Sequence, residues 1–232
     1  MKTALYEIMI WFQSICMLLS LFFSLRLINN KNVISYMKYF YWYSIIGGTI
    51  VILRIFSKSI NFPSKIVMGI ISNYSILFHF LFLSIFISTV IQNKKILKIA
   101  YILPFIFTST TIFALTKFTN EKQNSTAFAI ANLGLICCCI LYYYYLFKDV
   151  PKLNLLKEPA FWIVSGIFFC MSATIPILSL HEHLHNEKFM DSNNRRLLSS
   201  VNHFVYGTMH LFFIKGYQCS ITRKKMNVID CC

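Results

Sequence analysis

Charge is the first thing this chain lacks. Only 13% of its 232 residues are Asp, Glu, Lys or Arg, about half the share of an ordinary soluble domain. Too little polar surface is left to keep a water-soluble fold of this size dispersed. Acid is scarcer still, with eight Asp and Glu against 22 Lys and Arg. No aspartate falls inside a long apolar run, and Glu7 sits near the end of the first one. A carboxylate proton relay or an aspartyl protease would therefore lack its acid. The last apolar run has no deep lysine, since Lys215 lies at its edge, and a retinal Schiff base is excluded with it. The "VSG" at 164–166 has no G-x-S-x-G context, so intramembrane serine proteolysis has no nucleophile. No polar stretch exceeds about 18 residues, which leaves no room for a kinase, a nucleotide site or a soluble binding domain. No internal repeat and no inverted pair of broken helices stands out.

What fills the chain is apolar: 57% of residues are hydrophobic and 17% aromatic. They gather in runs of about 20, the length a helix needs to cross the roughly 30 Å hydrocarbon core at 1.5 Å per residue. Backbone groups in hydrocarbon must be satisfied internally, so continuous helices are the expected spanning form. The reading is an all-α, polytopic membrane protein built as one seven-transmembrane-helix bundle over 1–232. The expected spans are about 4–28, 33–55, 66–91, 96–117, 126–147, 160–180 and 197–214, followed by a basic tail at 215–232. The first run reads as a span rather than a cleaved signal peptide, because no small-x-small site precedes Arg26. Pro104 and Pro176 lie inside runs and are candidate kinks.

Orientation follows from the basic residues. Nine Lys and Arg fall at the amino terminus and in the second, fourth and sixth connections, and thirteen in the others and the tail. Basic residues collect on the cytoplasmic face, so the amino terminus is expected outside and the carboxyl terminus inside. The net charge of +14 then needs no nucleic acid. Lysines flanking spans meet anionic headgroups, each worth about 1 kcal/mol. The lipid bilayer is the expected partner, and a multi-pass protein of a bacterial inner or plasma membrane the expected location.

The eight cysteines do not form a disulfide framework. Cys16, Cys137, Cys138, Cys139 and Cys170 lie within runs and read as small packing residues. Cys219, Cys231 and Cys232 fall on the expected reducing side, and the terminal "CC" is a candidate for lipidation. The "NST" at 124–126 is a glycosylation acceptor on the expected outer face. Tyr142 to Tyr145 read as an aromatic belt at the membrane interface.

Polar residues inside spans should face the bundle interior, since lipid leaves them unsatisfied. Gln13, Ser20 and Ser24 share one face of the first span. Ser44 and Gly48 make a small-xxx-small pair suited to close helix contact. Ser72, Ser75 and His79 form a stripe on the third span, and Ser199, His203, Tyr206 and His210 another on the seventh. These give the candidate ligand pocket: Ser72, Ser75, His79, His203, Tyr206 and His210. His79 and His210 each fall roughly 20 Å deep, counted at 1.5 Å per residue, at about the level of Cys137 to Cys139 and Cys170. Two readings stay open for them. They could ligate haem iron axially, or a copper or zinc ion; or each could hydrogen-bond a neighbouring helix.

The stretch "SLHEHLHNEKF", 179–189, sets His181, His183 and His185 beside Glu182 and Glu187. With His203 they are candidate zinc or copper ligands. An extended chain would set all three histidines on one side, whereas a helix aligns only His181 with His185. A solvated loop is the alternative reading.

The stretch "KEPAFWIVSGIFFCMSATIPIL", 157–178, preceded by "LYYYYLF" at 141–147 and followed by "SSVNHFVYGTMH", resembles a group of uncharacterised bacterial seven-span membrane proteins. The likeness covers about the last 100 residues. It implies a module similar to the membrane-embedded sensory regions of histidine kinases, and it assigns no catalytic residue. The expectation for function is a non-enzymatic seven-helix sensor or accessory module that acts through a cytoplasmic or membrane signalling partner. An intramembrane metal or haem redox protein and a small-solute transporter are the alternatives.

Overall fold

The structure is a computed structural model that describes the backbone of residues 2–28, 35–60, 65–117, 125–149, 154–186 and 192–229. Side chains are described over 4–27, 36–49, 74–116, 125–149, 154–180 and 194–222, Lys38 and Arg195 excepted. Seven long helices make up these residues: α1 (Lys2–Ile28), α2 (Ser35–Ile60), α3 (Lys65–Val90), α4 (Lys94–Lys117), α5 (Ser125–Asp149), α6 (Pro159–Asn186) and α7 (Ser192–Ile229). A 3-10 turn at Leu155–Lys157 precedes α6. The fold is all-helical. Among the described residues, four stretches are long and apolar enough to cross a membrane: Ala4–Leu27, Lys94–Thr116, Ser125–Asp149 and Pro159–Leu180.

Several helices outrun the expected spans, α6 and α7 by the most. α6 continues through His181, His183 and His185 to Asn186, and α7 continues through the basic tail to Ile229. The chain, expected as one domain, divides into two compact units. The first holds 1–50, 150–170 and 190–232; the second holds 51–149 and 171–189. α2 and α6 each give a segment to both.

In the first unit α7 packs along α1, and glycines set how closely helices approach. A Cβ on Gly207 would lie 2.5 Å from the Phe12 ring of α1, and one on Gly48 of α2 would lie 2.9 Å from Leu21 of α1. The α6–α7 contact uses a glycine from each side, Gly166 beneath Phe212 and Gly216 against Ile163 and the Pro159 carbonyl. Small residues at a crossing let the backbones close up and gain dispersion contacts, which is how helices associate where lipid is as apolar as leucine. Phe40 of α2 meets Phe213 of α7 edge to face at 4.7 Å, a favoured aromatic geometry.

In the second unit α3, α4 and α5 all pack on one another. The buried positions of α4 are Ile96, Ala100, Pro104, Thr111 and Ala114, with Phe107 completing a four-three spacing that keeps one narrow face toward its neighbours. On α5 the matching face is Ala127, Ala131, Gly134, Cys138, Tyr142 and Tyr145. Gly134 sits where a Cβ would be 2.7 Å from both Phe80 of α3 and Phe107 of α4, so this glycine is the meeting point of three helices. Tyr142 and Tyr145 belong to the buried face, at 1% and 8% exposure. The aromatic belt expected over 142–145 therefore reduces to its outward member, Tyr144.

The remaining faces are apolar and exposed. α1 presents Ile8, Trp11, Ile15, Leu18, Leu19, Phe22 and Leu25, and α4 presents Tyr101, Ile102, Phe105, Ile106, Ile112 and Phe113. Patches of this extent are foreign to the surface of a soluble monomer. They suit contact with acyl chains.

Candidate functional site

The polar positions that spacing places on inward faces are inward in the first unit. Ser20 and Ser24 of α1 are fully buried, and Ser24 bonds back to the Leu21 carbonyl. Gln13 lies toward the amino-terminal end of the same face. Its Oε1 is 2.5 Å from Nδ1 of His203 on α7. As the amide oxygen only accepts, Nδ1 carries the proton in this bond. The Tyr6 ring lies 5.7 Å from the His203 ring, so the imidazole is held between an amide and an aromatic face.

A second link lies further along. The hydroxyl of Ser44 on α2 and the phenol of Tyr217 on α7 are 2.5 Å apart. Tyr217 is fully buried, with Phe40 at 5.9 Å. His210 is 5% exposed and meets the Phe213 ring at 5.4 Å, nearly perpendicular. These groups line the seam where α1, α2 and α7 converge. Gly48, four residues after Ser44, lets α1 approach α2 closely at Leu21.

The 3-10 turn is tied down from three sides. Tyr36 of α2 donates to Glu158 at 2.7 Å, the Trp162 indole donates to the Leu156 carbonyl at 2.9 Å, and the Cys219 thiol lies 3.5 Å from that same carbonyl. Lys215 stands 5.9 Å over the Trp162 ring. Burial pushes the Cys219 thiol above its ordinary pKa and Lys215 pulls it back, so the sulfur rests as a thiol rather than a nucleophilic thiolate.

The six pocket candidates divide between the units. His203, Tyr206 and His210 belong to the first; Ser75 and His79 belong to the second, each half-buried on α3. The side chain of Ser72 lies outside the described residues. Cys138, Cys139 and Cys170 are buried and outside any disulfide, in keeping with packing roles.

The four metal candidates divide as well. His181, His183 and His185 fall in the second unit and His203 in the first. The backbone at 181–185 is helical, so the strand-like alternation that would set three imidazoles side by side does not occur. Helical register leaves His181 and His185 one turn apart. Their side chains, with Asn124 of the glycosylation sequon and the terminal Cys231 and Cys232, lie outside the described residues. Among the described residues no group of three or more His, Cys, Asp or Glu could hold a metal ion.

One inward polar residue was not among the sequence candidates. Asn132, in the middle of α5, is 4% exposed, and its amide nitrogen has no hydrogen-bond partner among the described residues. The signal was present: an amide in "AIANLGLI" is as unusual within a span as the histidines are. No protein-family model matches the chain, and no curated protein or solved structure matches it.

Proposed function

We propose that this chain is a seven-span integral membrane protein, amino terminus outside and carboxyl terminus inside, that works as a non-enzymatic sensor or accessory module through a signalling partner. The observation that carries the reading is the polar seam of α1, α2 and α7: Gln13 with His203, and Ser44 with Tyr217. Polar groups held inside an apolar helix packing are costly to maintain and mark sites of function. The seam offers donors and acceptors suited to a small polar or amphipathic ligand, and it carries no nucleophile–base pair. On this reading His203, Tyr206 and His210 contribute from α7. Output passes through the connection before α6 and through the end of α7, where the tied turn at Leu155–Lys157 joins α2, α6 and α7.

Three measurements test this. Tags on the two termini of intact cells should be accessible from opposite faces; the same face would rule out seven crossings. The purified chain should be colourless and metal-free, whereas a Soret band or stoichiometric copper or zinc would turn the reading to a redox protein. In the native host, His203→Ala with His210→Ala should reproduce the change in gene expression caused by deleting the gene. A wild-type profile from a stably folded variant would mean this is not the sensing site.

A further inference from the structure

The second unit has a strongly basic end with no part in the polar seam. α3 ends at Val90, three residues connect it to α4, and α4 opens with Lys94 and Lys95, followed one turn later by Lys98. All three lysines are exposed. Asn93 organises this end with both halves of its amide. Its oxygen accepts from the backbone N–H of Lys95 at 2.9 Å and of Ile96 at 3.3 Å, capping α4. Its nitrogen donates to the Asp149 carboxylate at 2.7 Å, which brings the last turn of α5 to the same place. That turn carries Lys148, exposed, its ammonium 3.0 Å from the Tyr144 hydroxyl and 5.2 Å from the ring centre.

Four lysines thus crowd one end against a single described carboxylate in this unit, Asp149, which accepts from Asn93. The first turn of α4 holds no acid, so like charges face one another beside the positive end of the helix dipole, an arrangement that one carboxylate offsets only in part and a further anion would relieve. The backbone N–H groups of Lys95 and Ile96 are taken by Asn93, so the lysine ammoniums are what is offered. Directly beside them Tyr101, Tyr144 and Phe147 are 53%, 52% and 66% exposed. A soluble phosphate or an acidic peptide has no use for that collar of rings, whereas a phospholipid places phosphate and acyl chain at these two levels.

We propose that this end of the second unit is a binding site for the headgroup phosphate of anionic phospholipids, held by Lys94, Lys95, Lys98 and Lys148 with acyl chains against Tyr101, Tyr144 and Phe147. This rests on the membrane reading above.

The test uses the full chain in neutral detergent, titrated with phosphatidylglycerol, with phosphatidylcholine, and with inorganic phosphate, followed by native mass spectrometry and by thermal unfolding. Phosphatidylglycerol should bind and raise the unfolding midpoint well above the effect of phosphatidylcholine. Each Lys→Gln change should weaken its binding about fivefold, the factor for one basic residue at an anionic surface. Lys215→Gln, an exposed lysine of the first unit, should leave it unchanged. The four changes are made singly, so that each variant keeps three of the lysines and its fold. Equal binding of the two lipids, or no loss in the single variants, overturns the proposal. So does inorganic phosphate reproducing the stabilisation, which would make the site one for a soluble anion. Release of the chain from cell membranes by an alkaline wash would instead overturn the membrane reading, and that result is independent of the lipid titration.

Discussion

The two units use the same polar residue types in different ways. In the first, Ser14, Ser24, Ser200 and Thr208 bond back to their own helices, but other side chains reach across helices: Gln13 to His203, Ser44 to Tyr217, Tyr36 to Glu158. In the second, many hydroxyls turn back to their own helix. Ser84 bonds the Leu81 carbonyl, Thr89 that of Phe86, and Thr108, Ser109 and Thr111 those of Pro104, Phe105 and Phe107. Ser88 does both, bonding the Ser84 carbonyl and, across to α4, that of Ala100. A hydroxyl bonded to its own carbonyl is satisfied wherever it points, so it specifies little about its neighbours. A hydroxyl bonded to another helix fixes register. Both units pack rings around small residues, but side-chain to side-chain links between buried helix faces add register in the first.

The largest effect should come from spoiling that fit. Gly134→Leu drives a side chain into the space already filled by Phe80 and Phe107, and Phe80 is 1% exposed with little room to move. Overpacking of this kind costs about 3 kcal/mol. The buried thiols locate the damage: Cys138 and Cys139 report on the second unit, Cys16 and Cys170 on the first. Labelling with a thiol dye during mild heating, read by peptide mass spectrometry, should show Cys138 and Cys139 reacting early. Simultaneous labelling of all four would mean that the units do not differ in this way.

The seven helices are legible in the sequence because a run of about 20 apolar residues has few other uses. Their ends are less so. α7 passes the expected boundary at 214 because nothing in "KGYQCSITRKK" stops a helix: Gly216, the one candidate, is spent on contact with Ile163 and the Pro159 carbonyl. That extension hides Tyr217, which falls outside the expected span and so could not be paired with Ser44 in advance. The inward face of α1 was readable, since Gln13, Ser20 and Ser24 repeat at helical spacing. For Tyr142 to Tyr145 composition misleads. Four tyrosines in a row suggest an interfacial belt, but consecutive residues on a helix point about 100° apart, so Tyr142 and Tyr145 turn inward while Tyr144 does not. Which histidines share a unit is a matter of tertiary packing, and depth along a helix carries no information about it.

A smaller effect should follow from cutting a polar link in the first unit. Tyr217→Phe keeps the ring among Phe40 and Phe213 and removes the hydroxyl that meets Ser44. Interhelical hydrogen bonds within membrane helix bundles average about 0.6 kcal/mol and reach about 1.7. Tyr217→Phe should lower stability by about 1 kcal/mol, with Cys16 and Cys170 becoming reactive first. Ser44→Ala added to Tyr217→Phe should cost little more than either change alone, because both remove the same bond. Strict additivity would mean the two hydroxyls are not coupled.

The smallest effect is expected where a hydroxyl serves only its own helix. Ser109 and Thr110 are exposed on α4, bonded back to Phe105 and to Ile106 and Phe107, beside Phe105 at 75% exposure. Ser109→Ala and Thr110→Val remove oxygens that touch no other helix, and each leaves behind carbonyls still bonded within the helix ladder. The stability change should stay within about 0.5 kcal/mol, the range of surface substitutions, and labelling of all four buried thiols should keep its wild-type order. A loss comparable to that of Tyr217→Phe would show that this face of α4 is covered by protein rather than lipid. The exposed apolar row of α4 would then be an interface, and the contrast between the units would have to be redrawn around it.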